Sequence, residues 1–427
     1  MLLSLCVITK NEEKNLSRCI QSVKDIVDEI IIVDTGSTDD TVKIAESYGA
    51  KVLYYPWDDS FSEAKNFAFR QAAGEWILTM DADEEVNALD KEKICSLLKN
   101  DDIDIYLFQT LSYVGKYPGV DTASNLNIRL IRNHKGYQYI GAIHEQICNF
   151  NQDVIDKSKV KIEKIIVYHY GYLDSAAKEK NKPGRNMRIL EKILEGNPHN
   201  NFHLFNMGNE YLRLNKYKMA LKYYKRAYRD FAPELAHSPK LLFKLITTLD
   251  VLNRYDEEME ILKAGLAYYP KFVDLEYMRA CLFHKLKKYT LAIKGFKKCV
   301  SMETPPLHLQ NINEVEGYRS YFALGEIHSE LGDYEEAYRY YIETIKAKPN
   351  FYLPLQRIAE NLLKTGYDTQ RVRSKLEKFF EKNLNGGAYG KLGEIFYSLR
   401  KYEIAADYFL KAYEKMGPNQ NIYFNLG

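Results

Sequence analysis

The sequence lacks an excess of charge of either sign. Its 427 residues carry 60 basic and 58 acidic side chains, so the formal net charge is only +2. Attraction to nucleic acid or to an anionic membrane needs a strong field or a block of basic residues, and neither is present. We therefore expect no nucleic-acid partner.

The sequence also lacks paired cysteines and long apolar runs. Its six cysteines are scattered without a Cys-x-x-Cys pair, which predicts reduced thiols in a cytoplasmic protein and argues against a zinc site or a disulfide framework. No segment approaches the length of uncharged apolar residues that crosses a bilayer, so no integral membrane segment is expected, while peripheral membrane association stays open. The short apolar run at 2–8 is interpreted as a first strand.

The chain is longer than a single core usually is, and its two halves have different patterns. Before Tyr172, strand-like and helix-like segments alternate, which predicts a mostly parallel sheet with helices on both faces. The predicted strands are 2–9, 29–34, 51–55, 76–80, 104–109, 127–131 and 161–168, and the predicted helices are 15–23, 41–48 and 62–73.

The second half is rich in tyrosine and repetitive. We take as markers the tyrosines that stand before the second helix of each predicted helix pair. Two of the spacings between successive marker tyrosines are 34 residues and twice 34. This period is typical of tetratricopeptide repeats, which are pairs of antiparallel helices. The markers are Tyr217, Tyr255, Tyr289, Tyr334 and Tyr402. Gly208, Gly325 and Gly393 each fall nine residues before a marker, where we expect two helices to cross closely.

These patterns predict three segments. Residues 1–173 form an α/β domain, 174–198 a linker or connecting helix, and 199–427 an all-α tetratricopeptide solenoid. The residues at 423–427 match the opening of one more repeat, so the chain either stops within a repeat or ends on a partial cap.

Two predicted strands end in carboxylates. Asp34 ends the apolar run at 31–33, and Asp81 and Asp83 follow the run at 76–80. Parallel strands bring their carboxyl ends to one sheet edge, and an extended Asp-x-Asp points both side chains to the same side. Hard oxygen ligands without a thiolate suit Mg²⁺ or Mn²⁺, which commonly hold substrate phosphates. The pattern therefore indicates a sugar-nucleotide transferase.

This combination of motifs resembles the family 2 glycosyltransferases of the GT-A fold, a Rossmann-like α/β fold. The resemblance implies that Asp34 contacts the nucleoside, and that Asp81 and Asp83 hold the diphosphate and the metal. Thr9 and Glu12, just after the first strand, match the family's nucleotide-cradling loop. Lys65, in the stretch 57–66, stands where the family more often has an arginine that faces the donor.

Two further motifs supply candidates for the reaction. An inverting transferase needs a base that deprotonates the acceptor, and Glu145 is the candidate, with His144 as its orienter or as an acceptor contact. His169 resembles the late metal ligand of several GT-A enzymes and would complete the site of Asp83. The plainer alternatives are a structural Glu145 and a histidine packed among aromatic rings.

A transferase domain followed by tetratricopeptide repeats resembles the peptide S-glycosyltransferases that modify glycosylated bacteriocins of the sublancin and thurandacin type. The resemblance covers nearly the whole chain. It implies an inverting, metal-dependent bacterial enzyme that moves glucose from UDP-glucose onto a cysteine thiol or a serine hydroxyl. The repeats would hold the acceptor peptide or form a homodimer.

Two other functions stay open at the level of sequence. The first is a cytoplasmic-face transferase that builds envelope polysaccharide or lipopolysaccharide, although the charge balance does not favour a membrane-bound acceptor. The second is a non-catalytic repeat scaffold with a decayed first domain, which the spacing of Asp81, Asp83 and Glu145 argues against.

Overall fold

A computed structural model describes residues 3–114, 121–151, 155–171, 173, 182–306, 309–312, 314–380 and 385–416. The contacts divide the chain into two compact units, Met1–Arg254 and Tyr255–Gly427. The expectation of a further repeat opening at 423–427, Tyr172 and the first part of the predicted linker, 174–181, lie outside the described residues.

An α/β domain begins the first unit, and its order confirms the predicted alternation. The strands are β1 Leu3–Thr9, β2 Glu29–Asp34, β3 Lys51–Tyr54, β4 Trp76–Asp81, β5 Glu84–Val86, β6 Ile105–Val114, β7 Asp121–Arg132, β8 Tyr137–Ile140, β9 Gln146–Asn149 and β10 Val160–His169. The helices between them are α1 Leu16–Gln21, α2 Thr41–Ser47, α3 Phe61–Gln71 and α4 Lys91–Leu97.

The main sheet has eight strands in the order β3-β2-β1-β4-β7-β6-β10-β5. The β1–β2, β1–β4, β2–β3 and β6–β10 pairs are parallel, whereas β7 and β5 run antiparallel to their neighbours. The strands β8 and β9 form a separate hairpin. The carboxyl ends of β1, β2 and β4 consequently meet at one edge, as the apolar runs predicted.

Side chains of the central strands alternate between two apolar cores. Leu3, Leu5 and Val7 of β1 face a core that α1, α2 and α4 cover, while Cys6 faces a second core with α3 and the β8–β9 hairpin. Burial on both faces explains why these strands are nearly continuous apolar runs.

One local expectation is wrong. The Asp-x-Asp segment is not extended throughout, because β4 ends at Asp81 and Ala82 and Asp83 form a turn before β5. The two carboxylates therefore have different nearest partners, as described below.

Helices make up the remainder of the described chain. In the first unit these are α5 Lys182–Gly196, α6 Asn201–Arg213, α7 Tyr217–Arg229 and α8 Ser238–Val251. In the second unit they are α9 Tyr255–Tyr268, α10 Val273–Lys285, α11 Tyr289–Ser301, α12 Tyr318–Glu330, α13 Tyr334–Ala347, α14 Leu353–Lys364, α15 Thr369–Glu377, α16 Gly386–Ser398 and α17 Tyr402–Met416. Each marker tyrosine is the first residue of its helix. No helix in the described part of the chain is both long enough and apolar enough to cross a membrane.

The glycines before the marker tyrosines lie where paired helices touch. A Cβ atom at Gly208 would be 2.5 Å from the ring of Tyr224, and one at Gly325 would be 2.5 Å from Cε1 of Tyr341. The position of Gly393 against Phe409 is equivalent. These contacts confirm that the repeat glycines permit close helix packing.

Gly325→Ala is expected to destabilise the second unit. The added methyl group would collide with the ring of Tyr341, which is fully buried and whose hydroxyl donates to Glu326 at 2.6 Å, so the ring has little freedom to move. Overpacking of this kind costs about 1–3 kcal/mol. The check is the thermal midpoint of the full chain, with Gly390→Ala as the control. Gly390 has open space around its Cβ position in α16, so alanine there should raise the midpoint by its helix propensity.

Candidate active site

The loops after β1 and β2 form the first part of the site. The carboxylate of Asp34 accepts the backbone N–H groups of Gly36 and Ser37 at 3.0 and 2.9 Å, and the hydroxyl of Thr9 lies 3.4 Å from it. Gly36 has φ +104°, a conformation that favours glycine and lets the chain turn back over Asp34. Nearby, the N–H of Glu12 donates to the hydroxyl of Thr41 at 2.7 Å, so the two loops are held together.

Lys65 lies between two of the predicted carboxylates. Its Nζ atom is 3.0 Å from Oε1 of Glu145 and 3.8 Å from Oδ1 of Asp81. Burial alone would lower the pKa of Lys65, but the charges of Glu145 and Asp81 outweigh burial and raise it. The ammonium is therefore charged at neutral pH. Burial alone would likewise raise the pKa of Asp81, yet Lys65 and Arg129 lower it, so Asp81 is ionised.

Asp83 pairs with His169 instead. Nε2 of His169 is 3.3 Å from Oδ1 of Asp83, and Nδ1 of His169 is hydrogen-bonded to the hydroxyl of Ser112 at 3.1 Å. Burial disfavours the imidazolium, but the bond to Asp83 and the charges of Glu84 and Asp81 raise the pKa of His169. The strand end of β10 thus places the imidazole beside the second carboxylate of the Asp-x-Asp turn.

The chemistry of this pair suits a divalent metal that also binds phosphate. Within the described ranges, no group of three or more His, Cys, Asp and Glu side chains is arranged to hold a metal ion. Mg²⁺ and similar ions commonly take one or two protein ligands and fill their other positions with substrate phosphates and water. Ser112 on the far nitrogen of His169 is the outer-shell partner that such a ligand usually has. Asp83 and His169 are therefore suitable ligands for a divalent metal ion.

A buried ion pair stabilises the turn between β4 and β5. The guanidinium of Arg129 on β7 contacts Oε1 of Glu84, and both side chains are almost fully buried. The other carboxylate oxygen of Glu84 accepts the N–H of Asp81 at 2.9 Å. Arg129 also donates to the carbonyl of Thr79 at 3.5 Å, so the pair ties β7 to the end of β4.

Arg129→Met should destabilise the α/β domain strongly. Burial already raises the pKa of Glu84 to about 7 against the opposing charge of Arg129. Without the guanidinium, the carboxyl group would remain buried without its charged partner, which typically costs about 3–5 kcal/mol. Urea unfolding of the single variant and of Arg129→Met combined with Glu84→Gln provides the check. The double variant should lose less stability than the single one, and equal losses would contradict the ion-pair explanation.

The β8–β9 hairpin presents Glu145, and α3 holds the hairpin in place. The side-chain amide of Asn66 donates to the carbonyl of Tyr139 and accepts its N–H, both at 2.8 Å. The N–H of Phe61 donates to the carbonyl of Ala142 at 2.8 Å. The adjacent residues Lys65 and Asn66 therefore make different contacts. Asn66 is hydrogen-bonded to the backbone of the hairpin, and Lys65 contacts the carboxylate of Glu145.

His144 points toward the first helices of the helical half. Its Nε2 atom is 3.9 Å from Oε1 of Glu210 on α6, and its ring packs edge-on against Phe202. Burial, with the charges of Arg213 and His203 adding to it, lowers the pKa of His144 to about 3, so the ring is neutral. His144 has φ +54°, a conformation that non-glycine residues seldom adopt and that occurs often at functional sites.

The structure thus brings most of the predicted residues into one connected network. Lys65 links Glu145 to Asp81, and the turn after Asp81 leads to Asp83 and His169. Thr9, Glu12 and Asp34 form their own group of loops at the carboxyl ends of β1 and β2. The individual roles assigned to these residues remain predictions. The sequence analysis assigned no role to Arg129, Asn66 or Glu210, because the residues near each of them in sequence do not indicate its distant partner.

Comparison with known families agrees with this geometry. Residues 4–151 match the model of the family described as glycosyl transferase family 2. Residues 205–271, 276–304 and 318–351 match tetratricopeptide repeat models. The chain therefore carries a family 2 glycosyltransferase domain followed by tetratricopeptide repeats, which confirms the predicted fold classes.

The curated relatives include proteins named as glycosyltransferases and a protein named for its TPR repeats. The chain is 30% identical over 283 residues to the SPbeta prophage-derived glycosyltransferase SunS of Bacillus subtilis (strain 168), with 65% of each chain covered. It is 30% identical to a TPR repeat-containing protein of Synechococcus elongatus, over 60% of this chain and 63% of that protein. It is 37% identical to an uncharacterized glycosyltransferase of Rickettsia typhi, over 39% of this chain and 60% of the relative. The matches thus span between 60% and 65% of the relatives' own lengths.

Proposed function

We propose that this protein is an inverting, metal-dependent glycosyltransferase that moves glucose from UDP-glucose onto a cysteine thiol or serine hydroxyl of a peptide. The observation that carries the proposal is the position of Lys65, 3.0 Å from Glu145 and 3.8 Å from Asp81. One ammonium thereby joins the candidate base to the strand end where the donor diphosphate is expected. Departure of the diphosphate and deprotonation of the acceptor have to occur at one anomeric carbon, on opposite sides of it, and the contacts of Lys65 with both Glu145 and Asp81 support this assignment.

The residues divide the reaction between them. Asp34, with Thr9 and Glu12 beside it, binds the nucleoside, and Asp81 lies along the diphosphate. Asp83 and His169 hold the divalent ion, Mg²⁺ or Mn²⁺, which supplies Lewis-acid stabilisation of the leaving phosphate.

Glu145 takes the proton of the acceptor thiol or hydroxyl as the new bond to the anomeric carbon forms on the face opposite the diphosphate. The bond between that carbon and the phosphate oxygen breaks, UDP leaves with the bonding electrons, and the sugar emerges inverted. Lys65 neutralises negative charge on the leaving side. A thiol needs less help from a base, because it is a few per cent ionised at pH 7.

The peptide acceptor is inferred from the resemblance to the peptide S-glycosyltransferases and from the repeats, which commonly present peptide-binding faces. SunS is itself named a glycosyltransferase. A cytoplasmic location accords with six free cysteines. Dimerisation through the repeats is the alternative use of the same helices.

The test is release of nucleoside diphosphate from a panel of sugar nucleotides, with Mn²⁺ or Mg²⁺ and with chelator as the control. Metal-dependent turnover of UDP-glucose, increased by cysteine- or serine-containing peptides and accompanied by a hexose mass on the peptide, is the expected result. Stimulation by a lipid-linked glycan instead would favour the envelope-polysaccharide alternative. If no sugar nucleotide bound in calorimetry, the scaffold alternative would replace the proposal.

A further inference from the structure

Lys240 on α8 contacts the α/β domain through an amide oxygen rather than a carboxylate. Nζ of Lys240 donates to the side-chain carbonyl of Asn125 on β7 at 2.5 Å. Lys244 is one helical turn further on, on the same face of α8 as Lys240. In the part of the chain that the structure describes, neither ammonium forms an ion pair with a carboxylate.

Lys240 contacts the side of the sheet that carries the candidate metal ligands. Asn125 is paired with Thr110 in the β6–β7 ladder, and Ser112 lies two residues after Thr110 on β6. Residues two apart on a strand share a face. Ser112 is the residue that holds His169. Lys240 therefore reaches from the helical half to the face of the sheet on which the reaction is proposed.

The surroundings of the lysines are mainly cationic. Burial and then the charge of Lys244 together lower the pKa of Lys240 to about 8, and burial and then the charge of Arg213 lower the pKa of Lys244. Arg213 is paired with Glu210, 3.1 Å away, so that carboxylate is already engaged. A desolvated positive charge without a counterion is unfavourable, so an anionic group supplied by a ligand would stabilise both lysines.

A series of polar contacts connects Arg213 with the hairpin that carries the candidate base, Glu145. Arg213 contacts Glu210, whose Oε1 atom is 3.9 Å from the imidazole of His144, the residue next to Glu145. Asn186 on α5 donates to Glu210 at 3.0 Å and completes this polar contact between the helices and the hairpin. A group bound by the lysines would therefore be connected, through Arg213 and Glu210, to the hairpin that presents Glu145.

We infer that Lys240 and Lys244, with Arg213 beside them, form a subsite for an acidic side chain near the modified residue of the acceptor peptide. The inference rests on the proposed function for the identity of the acceptor. It adds a sequence preference: a glutamate or aspartate close to the glycosylated cysteine or serine. A peptide carboxylate is favoured over a lipid phosphate because the lysines belong to the repeat helices, whose usual ligands are peptides.

The experiment measures binding separately from turnover. Short fluorescein-labelled peptides with one central cysteine, flanked by glutamate or by the isosteric glutamine, are titrated with the full chain in the presence of UDP and Mn²⁺. We expect glutamate peptides to bind at least about tenfold more tightly, because charge-assisted hydrogen bonds exceed neutral ones, and we expect the preference to shrink in high salt.

Variants assign the preference to the subsite. Lys240→Gln combined with Lys244→Gln should abolish the difference between the two peptide series, and the corresponding double arginine variant should retain it. Lys222→Gln, on the exposed side of α7, should leave the difference unchanged.

Equal binding of the two peptide series to the unaltered chain would overturn the inference, as would a preference that survives the double glutamine variant. Displacement of the glutamate peptides by phosphatidylglycerol vesicles, but not by phosphatidylcholine vesicles, would indicate a lipid phosphate and would also overturn it. Absence of donor turnover, by contrast, would count against the proposed function and leave the binding result to decide the subsite.

Discussion

Asp83→Asn should reduce the rate of sugar transfer by about a thousandfold, which corresponds to about 4 kcal/mol of barrier. The side chain is buried 3.3 Å from His169 and supplies the carboxylate of the proposed metal pair. Asparagine has the same size but no charge, so it weakens both metal binding and stabilisation of the leaving diphosphate. The measurement is UDP release as a function of Mn²⁺ concentration.

The form of the metal dependence separates the proposed role from a loss of folding. Asp83→Asn should need much more Mn²⁺ for half-maximal turnover, while its thermal midpoint stays near that of the unaltered chain. Asp102→Asn, an exposed position in the same domain, should change neither quantity. If Asp83→Asn kept its metal dependence and most of its rate, the metal site would have to be elsewhere.

The parts of the fold that could be predicted from the sequence are those fixed by local pattern. Continuous apolar runs identified β1, β2 and β4, and the carboxylates after them identified the sheet edge. The marker tyrosines were predicted to stand just before the second helix of each repeat, and in the structure each is the first residue of that helix. The repeat glycines followed from the same period.

The parts that could not be predicted depend on contacts between distant residues. Lys65 and Glu145 are far apart in sequence, and so are Glu84 and Arg129. The residues adjacent in sequence to each member of these pairs give no indication of which distant residue it contacts. The turn at Asp83 was also missed, because an apolar run followed by Asp-x-Asp gives no signal that the strand ends at the first aspartate and that β5 reverses the chain.

His144 illustrates the same limit at the candidate site. The sequence placed it next to Glu145 as an orienter or an acceptor contact, and that role remains a prediction. In the structure its imidazole lies beside Glu210, which belongs to a helix of the tetratricopeptide segment. A pattern of residues within the transferase motifs could not reveal that the first helices of the repeats contribute the environment of this hairpin.

Glu145→Gln should reduce transfer to a serine hydroxyl by about a hundredfold to ten thousandfold, the usual contribution of a general base. Glutamine preserves the size of the side chain but accepts no proton. The loss should be smaller for a cysteine acceptor and should shrink further as the pH rises. A free thiol has a pKa of about 8.5, so its thiolate fraction grows with pH below that value. The measurement is the rate of transfer to matched serine and cysteine peptides between neutral and mildly alkaline pH.

This comparison distinguishes proton transfer from positioning, because Glu145 also contacts Lys65. If Glu145 only positions Lys65, its replacement should slow both acceptors equally at every pH. If Glu145 is the base, alkaline pH should recover the cysteine reaction and leave the serine reaction slow. Glu195→Gln on the exposed side of α5 is the matched control and should behave as the unaltered chain does. Unchanged transfer to serine in Glu145→Gln would exclude Glu145 as the base and direct the search to the other groups around the hairpin.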